Sequence, residues 1–160
     1  MTIDPSTIAV AGAIVLFALS AAGSVIGTGI AASAAVGAWK KCYAHNRPAP
    51  FTMTTFVGMP LTNTLYGMVV MFSVIGKATT LSATAGAAWA LFAMCVVIGL
   101  VMMLAAWAQA RAAACACDAQ GETGQGFGNY IAAIGIIEGV TIFVFVFTLV
   151  VIDNFFIKAA

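Results

Sequence analysis

Four apolar segments, each long enough to cross a lipid bilayer, constrain the fold of this chain more than any other feature. A transmembrane helix needs about 20 apolar residues, and the qualifying segments are Ile8–Ala38, Phe51–Ile75, Gly86–Ala114 and Tyr130–Ile152. Polar breaks at 40–50, 76–84 and 115–128 separate them. Only 7% of the residues are charged, whereas soluble domains carry about 25%. The sequence therefore predicts an all-α membrane protein with four transmembrane helices.

The charged residues and the cysteines exclude several classes of protein. The formal net charge is +1, and nucleic-acid binding requires a basic stripe that is missing here. The cysteines have neither the spacing of a disulfide framework nor that of a zinc site. We interpret them as small apolar fillers; they are Cys42, Cys95, Cys115 and Cys117.

The basic side chains predict how the chain is oriented in the membrane. Most of them lie in the first break or just before the third, namely Lys40, Lys41, Arg47 and Arg111. Cytoplasmic loops are enriched in such residues. We therefore expect loops 40–50 and 115–128 to be cytoplasmic and both termini to lie outside.

A weak internal repeat suggests how the four segments are organised. A shift of 77 residues places Leu61 on Glu138 and Thr64 on Thr141, with matching spans and loops but few identities. Repeats of this kind indicate copies of one supersecondary unit. We expect a first helical hairpin at 1–80 and a second at 81–160, within one membrane domain.

The first and third segments are rich in small residues, and the second and fourth are bulky. The first segment contains "GSVIGTGIAASAAVGA", with Gly23, Gly27, Ala31 and Ala35 at four-residue spacing. Small residues at this spacing allow close approach of helices in lipid. Two arrangements fit equally: a closed ring of many copies with the slender helices inside, or an ordinary four-helix bundle.

Glu138 is an acid in the middle of the last apolar segment, within "IIEGVTIF". A charged carboxylate at mid-membrane costs roughly 3 kcal/mol or more. The cost is avoided if the acid is protonated or if a cation neutralises it, and alternation between these states is ion transport. The alternative is a glutamate that makes a permanent structural hydrogen bond to another helix.

Other polar residues are predicted to lie at a similar depth. The second segment contains "MPLTNTLYGM", in which Pro60 frees a carbonyl one turn earlier and is expected to kink the helix. Thr62 and Tyr66 share a helical face, with Asn63 beside them. The third segment adds Gln109.

Together with Glu138, these groups can form a cage of oxygen atoms, which hard cations prefer. One carboxylate balances a monovalent cation, and the absence of sulfur and imidazole from this set argues against a transition metal. Alternatively, Thr62 bonds only to the carbonyl one turn back, and Tyr66 is an ordinary amphipathic aromatic residue.

The order of these motifs resembles a known family over nearly the whole chain. The tandem hairpins, the glycine and alanine run, "PLTNTLYG" and "IIEG" resemble the proteolipid rotor subunit of V/A-type rotary ATPases. The resemblance implies a non-catalytic subunit of the cell membrane that forms a homo-oligomeric ring. It implies coupling to ATP hydrolysis or synthesis on other subunits, a stator a/I-type subunit, lipids around the ring, and a central stalk that contacts loop 40–50. No nucleic acid is among these partners.

The resemblance also implies the roles of individual residues. In sodium-type members the fourth-helix carboxylate binds Na⁺ with the help of the second and third helices. The matching ion ligands here are Glu138, Gln109, Thr62, Asn63 and the backbone carbonyl of Met59, with Tyr66 orienting the carboxylate. Asn63 is one methylene shorter than the glutamine of the sodium pattern, so H⁺ stays the alternative ion.

Two further functions are compatible with an intramembrane acid. A small proton-coupled transporter working as a dimer would form a dimer in detergent and place aromatic residues around the acid. A purely structural membrane protein would tolerate the substitution Glu138→Gln. The rotor hypothesis instead predicts loss of ion coupling with the ring still assembled.

Overall fold

The computed structural model describes residues 4–81 and 84–156, which form helices and turns. In chain order the helices are α1 (Pro5–Ala44), α2 (Met53–Gly58), α3 (Thr62–Gly76), α4 (Ala78–Leu81), α5 (Ala85–Thr123) and α6 (Phe127–Val151). A 3-10 turn, Met59–Leu61, joins α2 to α3, and a π-helical turn, Ile152–Phe156, extends α6.

Four of the described helical segments are long and apolar enough to cross a membrane. They are Pro5–Ala44, Met53–Gly76, Ala85–Thr123 and Phe127–Phe156. Each lies on one of the four segments expected from hydropathy. The predicted all-α membrane fold is confirmed.

The predicted polar break at 115–128 is wrong over most of its length. Helix α5 continues to Thr123 and ends at Gly124, whose positive φ of 69° suits glycine. The stretch is polar but rich in alanine, which favours helix. Its acidic residues lie on the exposed face, where Asp118 accepts a hydrogen bond from Lys41 at 2.9 Å. Cys115 and Cys117 therefore lie inside a helix.

The first break is also shorter than expected, since α1 continues to Ala44. Arg47 then folds back onto the end of α5. Its Nη1 donates to the carbonyl of Glu122 at 2.8 Å and its Nη2 to the carbonyl of Gly121 at 3.3 Å. The first loop is thus attached to the C-terminus of α5, where carbonyl groups lack helical partners.

Helices α1 and α5 form an inner pair because glycine brings their backbones close. A Cβ atom at Gly23 would lie 2.6 Å from Cα of Met103, and one at Gly12 would lie 2.8 Å from Cα of Phe92. Such contacts leave no space for larger side chains. Segment α2–α3 packs mainly on α1, and α6 packs mainly on α5. The bulky helices therefore form a second, outer layer.

Two apolar clusters lie at different levels of this bundle. The lower cluster, near loop 40–50, contains Ala31, Ala35, Phe56, Ala113 and Ile134, among others. The upper cluster contains Leu16, Val70, Leu91, Met102 and Ile152, among others. Each cluster takes residues from inner and outer helices, so both halves of the chain share one core. The division at residues 80 and 81 stays a prediction.

Between the two clusters lies a set of buried polar side chains that we call the polar layer: Asn63, Gln109 and Thr141. Asn63 is seven residues from both Phe56 and Val70, and Thr141 is seven residues after Ile134. Heptad spacing keeps each polar residue on the same helix face as its apolar neighbours. The polar layer therefore faces the interior, between the two clusters.

Candidate ion-binding site

The second membrane segment changes from α-helix to a 3-10 turn at Pro60. Proline has no N–H to continue the helical ladder, and the turn spans Met59–Leu61. Two carbonyls of this turn accept hydrogen bonds from side chains. The Thr62 hydroxyl donates to the carbonyl of Met59 at 2.9 Å, and the Ser24 hydroxyl donates to that of Pro60 at 2.7 Å.

Glu138 is held by a tyrosine from the outer helix of the other half. The Tyr66 hydroxyl donates to Oε1 of Glu138 at 2.9 Å. The Tyr66 ring stacks on Phe145, with ring centroids 5.0 Å apart. Glu138 itself is partly buried. Because the ring is fixed by stacking, the hydroxyl can hold one carboxylate oxygen in place.

Asn63 and Gln109 form a buried amide pair between α3 and α5. Both side chains are fully buried, and Nδ2 of Asn63 donates to Oε1 of Gln109 at 2.7 Å. Two polar atoms of the pair, Oδ1 of Asn63 and Nε2 of Gln109, are buried without a hydrogen-bond partner in the described structure. Leaving such groups unsatisfied costs about 1–3 kcal/mol each.

These contacts bring the expected site residues together in pairs rather than as one closed cage. The described hydrogen bond to Glu138 comes from Tyr66, and Gln109 bonds to Asn63. The Thr62 hydroxyl follows the simpler alternative and bonds to a carbonyl three residues back, which is also the expected backbone ligand. A cage that includes all these oxygens stays a prediction.

Sequence reasoning missed two hydroxyl groups. Ser24 on α1 holds the carbonyl of Pro60, and Thr141 is buried one turn after Glu138 with its hydroxyl unpartnered among the described residues. Thr141 could have been found from the sequence, because it lies three residues after Glu138 and residues three apart share a helix face. The Ser24 contact joins residues 36 positions apart and has no local signal.

The comparison with known protein families matches one part of the chain. Residues 92–151 match the family model that describes the C-subunit of ATP synthase. The matched range contains most of α5 and all of α6, including Gln109 and Glu138. No curated protein matches the chain. The second half of the chain is therefore similar to the C-subunit of ATP synthase, and this match supports a non-catalytic, ion-translocating rotor subunit.

Proposed function

We propose that this chain is the rotor-ring subunit of a V/A-type rotary ATPase and carries Na⁺ across the membrane by reversible binding at Glu138. H⁺ is the alternative ion. The observation that carries the proposal is the 2.9 Å hydrogen bond from the Tyr66 hydroxyl to the Glu138 carboxyl group. ATP hydrolysis or synthesis takes place on other subunits, and this chain makes and breaks no covalent bond.

The hydrogen bond explains how one acid can hold and release an ion. Tyr66 donates to Oε1 of Glu138, and the carboxylate keeps acceptor lone pairs that can take up a cation or a proton. Once loaded, the site is neutral and the cost of a charge at membrane depth disappears. The loaded protomer can then pass through lipid as the ring turns.

The amide pair favours Na⁺ over H⁺. A protonated carboxyl group needs only one or two hydrogen-bond partners, and Tyr66 is one of them. An amide oxygen has two lone pairs, so Oε1 of Gln109 can accept the Asn63 bond and still bind a cation. Asn63 then orients Gln109. This role accounts for an asparagine at position 63, where the sodium pattern has the longer glutamine.

The remaining ion ligands are Thr62 and the carbonyl of Met59, whose oxygens already lie 2.9 Å apart. A hydroxyl oxygen keeps its acceptor lone pairs when it donates. Both oxygens can therefore face the same cation. Together with the carboxylate and the amides they form an all-oxygen site that becomes neutral when a monovalent cation binds.

One acid in four helices supports the V/A-type assignment. Leu61 occupies the position that the repeat aligns with Glu138, so each copy carries one ion. Moving one elementary charge across the membrane changes the free energy by about 2.3 kcal/mol per 100 mV of membrane potential. Fewer ions per turn favour pumping against a steep gradient. At a stator a/I-type subunit, an arginine and aqueous half-channels empty and refill the site.

The ends of the helices suit contact with other subunits. With the first loop and the polar end of α5 on the cytoplasmic side, the central stalk contacts the first loop. That loop is braced, since Nε1 of Trp39 donates to the carbonyl of Pro50 at 2.9 Å and Arg47 bonds to the end of α5. A braced loop transmits torque better than a mobile one.

Labelling of Glu138 with a carboxyl-modifying carbodiimide tests the proposal. Such reagents attack the protonated acid, so at fixed pH added Na⁺ should slow the labelling in the purified ring. Glu138→Gln should abolish the label, and Asp153→Asn, outside the site, should not. Labelling that ignores Na⁺ supports H⁺ instead. Labelling that persists in Glu138→Gln removes Glu138 from the mechanism.

A further inference from the structure

Thr141 has a buried hydroxyl group that no described residue satisfies. The side chain is 1% exposed, and its Oγ1 has no hydrogen-bond partner in the described part of the chain. In the same helix, the Thr148 hydroxyl donates to the carbonyl of Val144 at 2.7 Å. Thr28 on α1 bonds in the same way to the carbonyl of Ser24 at 2.8 Å.

This difference is unusual for a helix in a membrane. A threonine in a helix ordinarily satisfies itself by donating to a carbonyl one turn back. In a bilayer a buried hydroxyl without a partner is costly, because no bulk water replaces the missing bond. The conformation of Thr141 therefore indicates a partner that is neither backbone nor side chain of the described residues.

The position of Thr141 points to the ion bound at Glu138. The two residues are three apart on α6 and share a face, and Glu138 faces Tyr66 on α3. Thr141 also belongs to the polar layer between the apolar clusters. Oδ1 of Asn63 and Nε2 of Gln109 are likewise buried and unpartnered within the described residues. Three helices thus each contribute an unsatisfied polar atom to the polar layer.

We infer that the Thr141 hydroxyl oxygen is a further ligand of the cation carried at Glu138, and this inference rests on the proposed function. The hydroxyl oxygen and Oδ1 of Asn63 are acceptors, which a hard monovalent cation prefers. The hydroxyl is neutral, so the charge balance between one carboxylate and one Na⁺ is kept. Thr141 adds affinity and specificity and does not titrate.

Matched valine substitutions test the inference. Thr141→Val and Thr148→Val make the same change at two buried sites of one helix, and only the first removes an unpartnered hydroxyl. The readout is the Na⁺ concentration that halves carbodiimide labelling of Glu138 in the assembled ring. Because contacts to charged groups are stronger than those between neutral groups, Thr141→Val should raise this concentration about tenfold or more. Thr148→Val should leave it within about twofold, since its hydroxyl bonds only to its own helix.

Rescue and assembly controls separate a ligand from a packing residue. Thr141→Ser keeps the hydroxyl and should restore Na⁺ protection to within about threefold of the unsubstituted chain. The mass of the intact oligomer is measured for each variant. If the valine ring does not assemble, Thr141→Ala replaces it. If neither variant assembles, Thr141 is structural and the inference is wrong.

The outcomes distinguish this inference from the proposed function. If Na⁺ protects the unsubstituted ring and Thr141→Val equally, the Thr141 inference fails and the sodium site at Glu138 stands. An equal shift in both valine variants also overturns it, since the effect would then be general. If Na⁺ does not protect even the unsubstituted ring, the sodium proposal fails and the Thr141 ligand with it.

Discussion

The two outer segments of the bundle, Met53–Gly76 and α6, contribute different chemical groups to the candidate site. At positions that the repeat aligns, the first carries Leu61, which is 51% exposed. The second carries Glu138, which accepts a hydrogen bond from Tyr66 at 2.9 Å. The first segment supplies hydroxyl and amide groups and a proline turn. The second supplies the charge and has no proline.

The two inner helices also differ, and again the second half carries the polar residue. The repeat aligns Ala32 of α1 with Gln109 of α5, so of these two positions only the one in the second half supplies an amide. That amide bonds across to Asn63 at 2.7 Å, in the first half of the chain. The candidate site is therefore divided: the second half carries the acid and one amide, and the first half carries the groups that donate hydrogen bonds to them.

The largest expected effect comes from removing the charge itself. Glu138→Gln keeps the shape of the side chain and its acceptor for Tyr66, but it cannot exchange a proton or balance Na⁺. ATP-driven ion transport by the assembled complex should fall to background while the ring keeps its mass. Transport and the mass of the oligomer are the measurements.

An acid moved into the first half tests whether the two halves differ in more than the carboxylate. Leu61→Glu in the Glu138→Gln background places a carboxylate at the aligned position of the first half. Transport should stay at background, because α1 has Ala32 where α5 has Gln109. Recovery of transport in this double variant would show that the two halves are equivalent and that the acid alone makes the site.

The next largest effect is expected from the amide pair. Asn63→Leu fills a similar space but leaves Oε1 of Gln109 without its donor. A buried polar group left unsatisfied costs about 1–3 kcal/mol, so the Na⁺ concentration for half-protection of Glu138 should rise about tenfold or more. Asn63→Gln restores the amide and should behave nearly as the unsubstituted chain. No change in Asn63→Leu would remove the pair from the site.

Loss of the tyrosine hydroxyl should have a smaller effect. Tyr66→Phe keeps the ring and its stacking on Phe145 and removes only the bond to Glu138. A hydrogen bond contributes about 0.5–1.5 kcal/mol net, so Na⁺ protection should weaken about two- to tenfold. Tyr130→Phe is the matched control, since Tyr130 packs with the lower cluster. An equal effect of both variants would contradict an orienting role for Tyr66.

The smallest effect is expected where charges join the two halves at the other end of the bundle. Lys77 pairs with Asp153, and their side chains are 37% and 52% exposed. Exposed ion pairs contribute about 0–1 kcal/mol and are screened by salt. Lys77→Gln should barely change the thermal stability of the ring, with any difference vanishing at high salt. A large loss at all salt concentrations would mean that charge, rather than packing, holds the halves together.

Part of the site could be predicted from sequence because its signals are local. Glu138 stands out as an acid among apolar residues, and Tyr66 and Thr62 fall on one helix face after a proline. The Asn63–Gln109 bond could not be predicted, since it joins residues 46 apart and depends on the distance between two helices. Thr141 was missed because a helical threonine ordinarily bonds to its own backbone.

Helix ends show the same division. Hydropathy located the four spans but not the end of α5, which continues through the polar residues to Thr123. Polar residues stop a membrane span without stopping a helix. At the first loop the positions of Lys41 and Arg47 depend on partners near the end of α5, which hydropathy does not describe.

The amino-acid sequence alone is enough to predict four membrane-spanning helices and an acid within the last of them. Both predictions follow from adding the free energies of transfer into lipid over neighbouring residues, and this sum depends only on the local sequence. Which polar groups meet depends on how the helices pack. Hydrogen bonds require atoms to lie within a few tenths of an ångström of the right distance. Here close backbone contacts such as that of Gly23 with Met103 set the spacing of the helices and so decide which partners each polar group has.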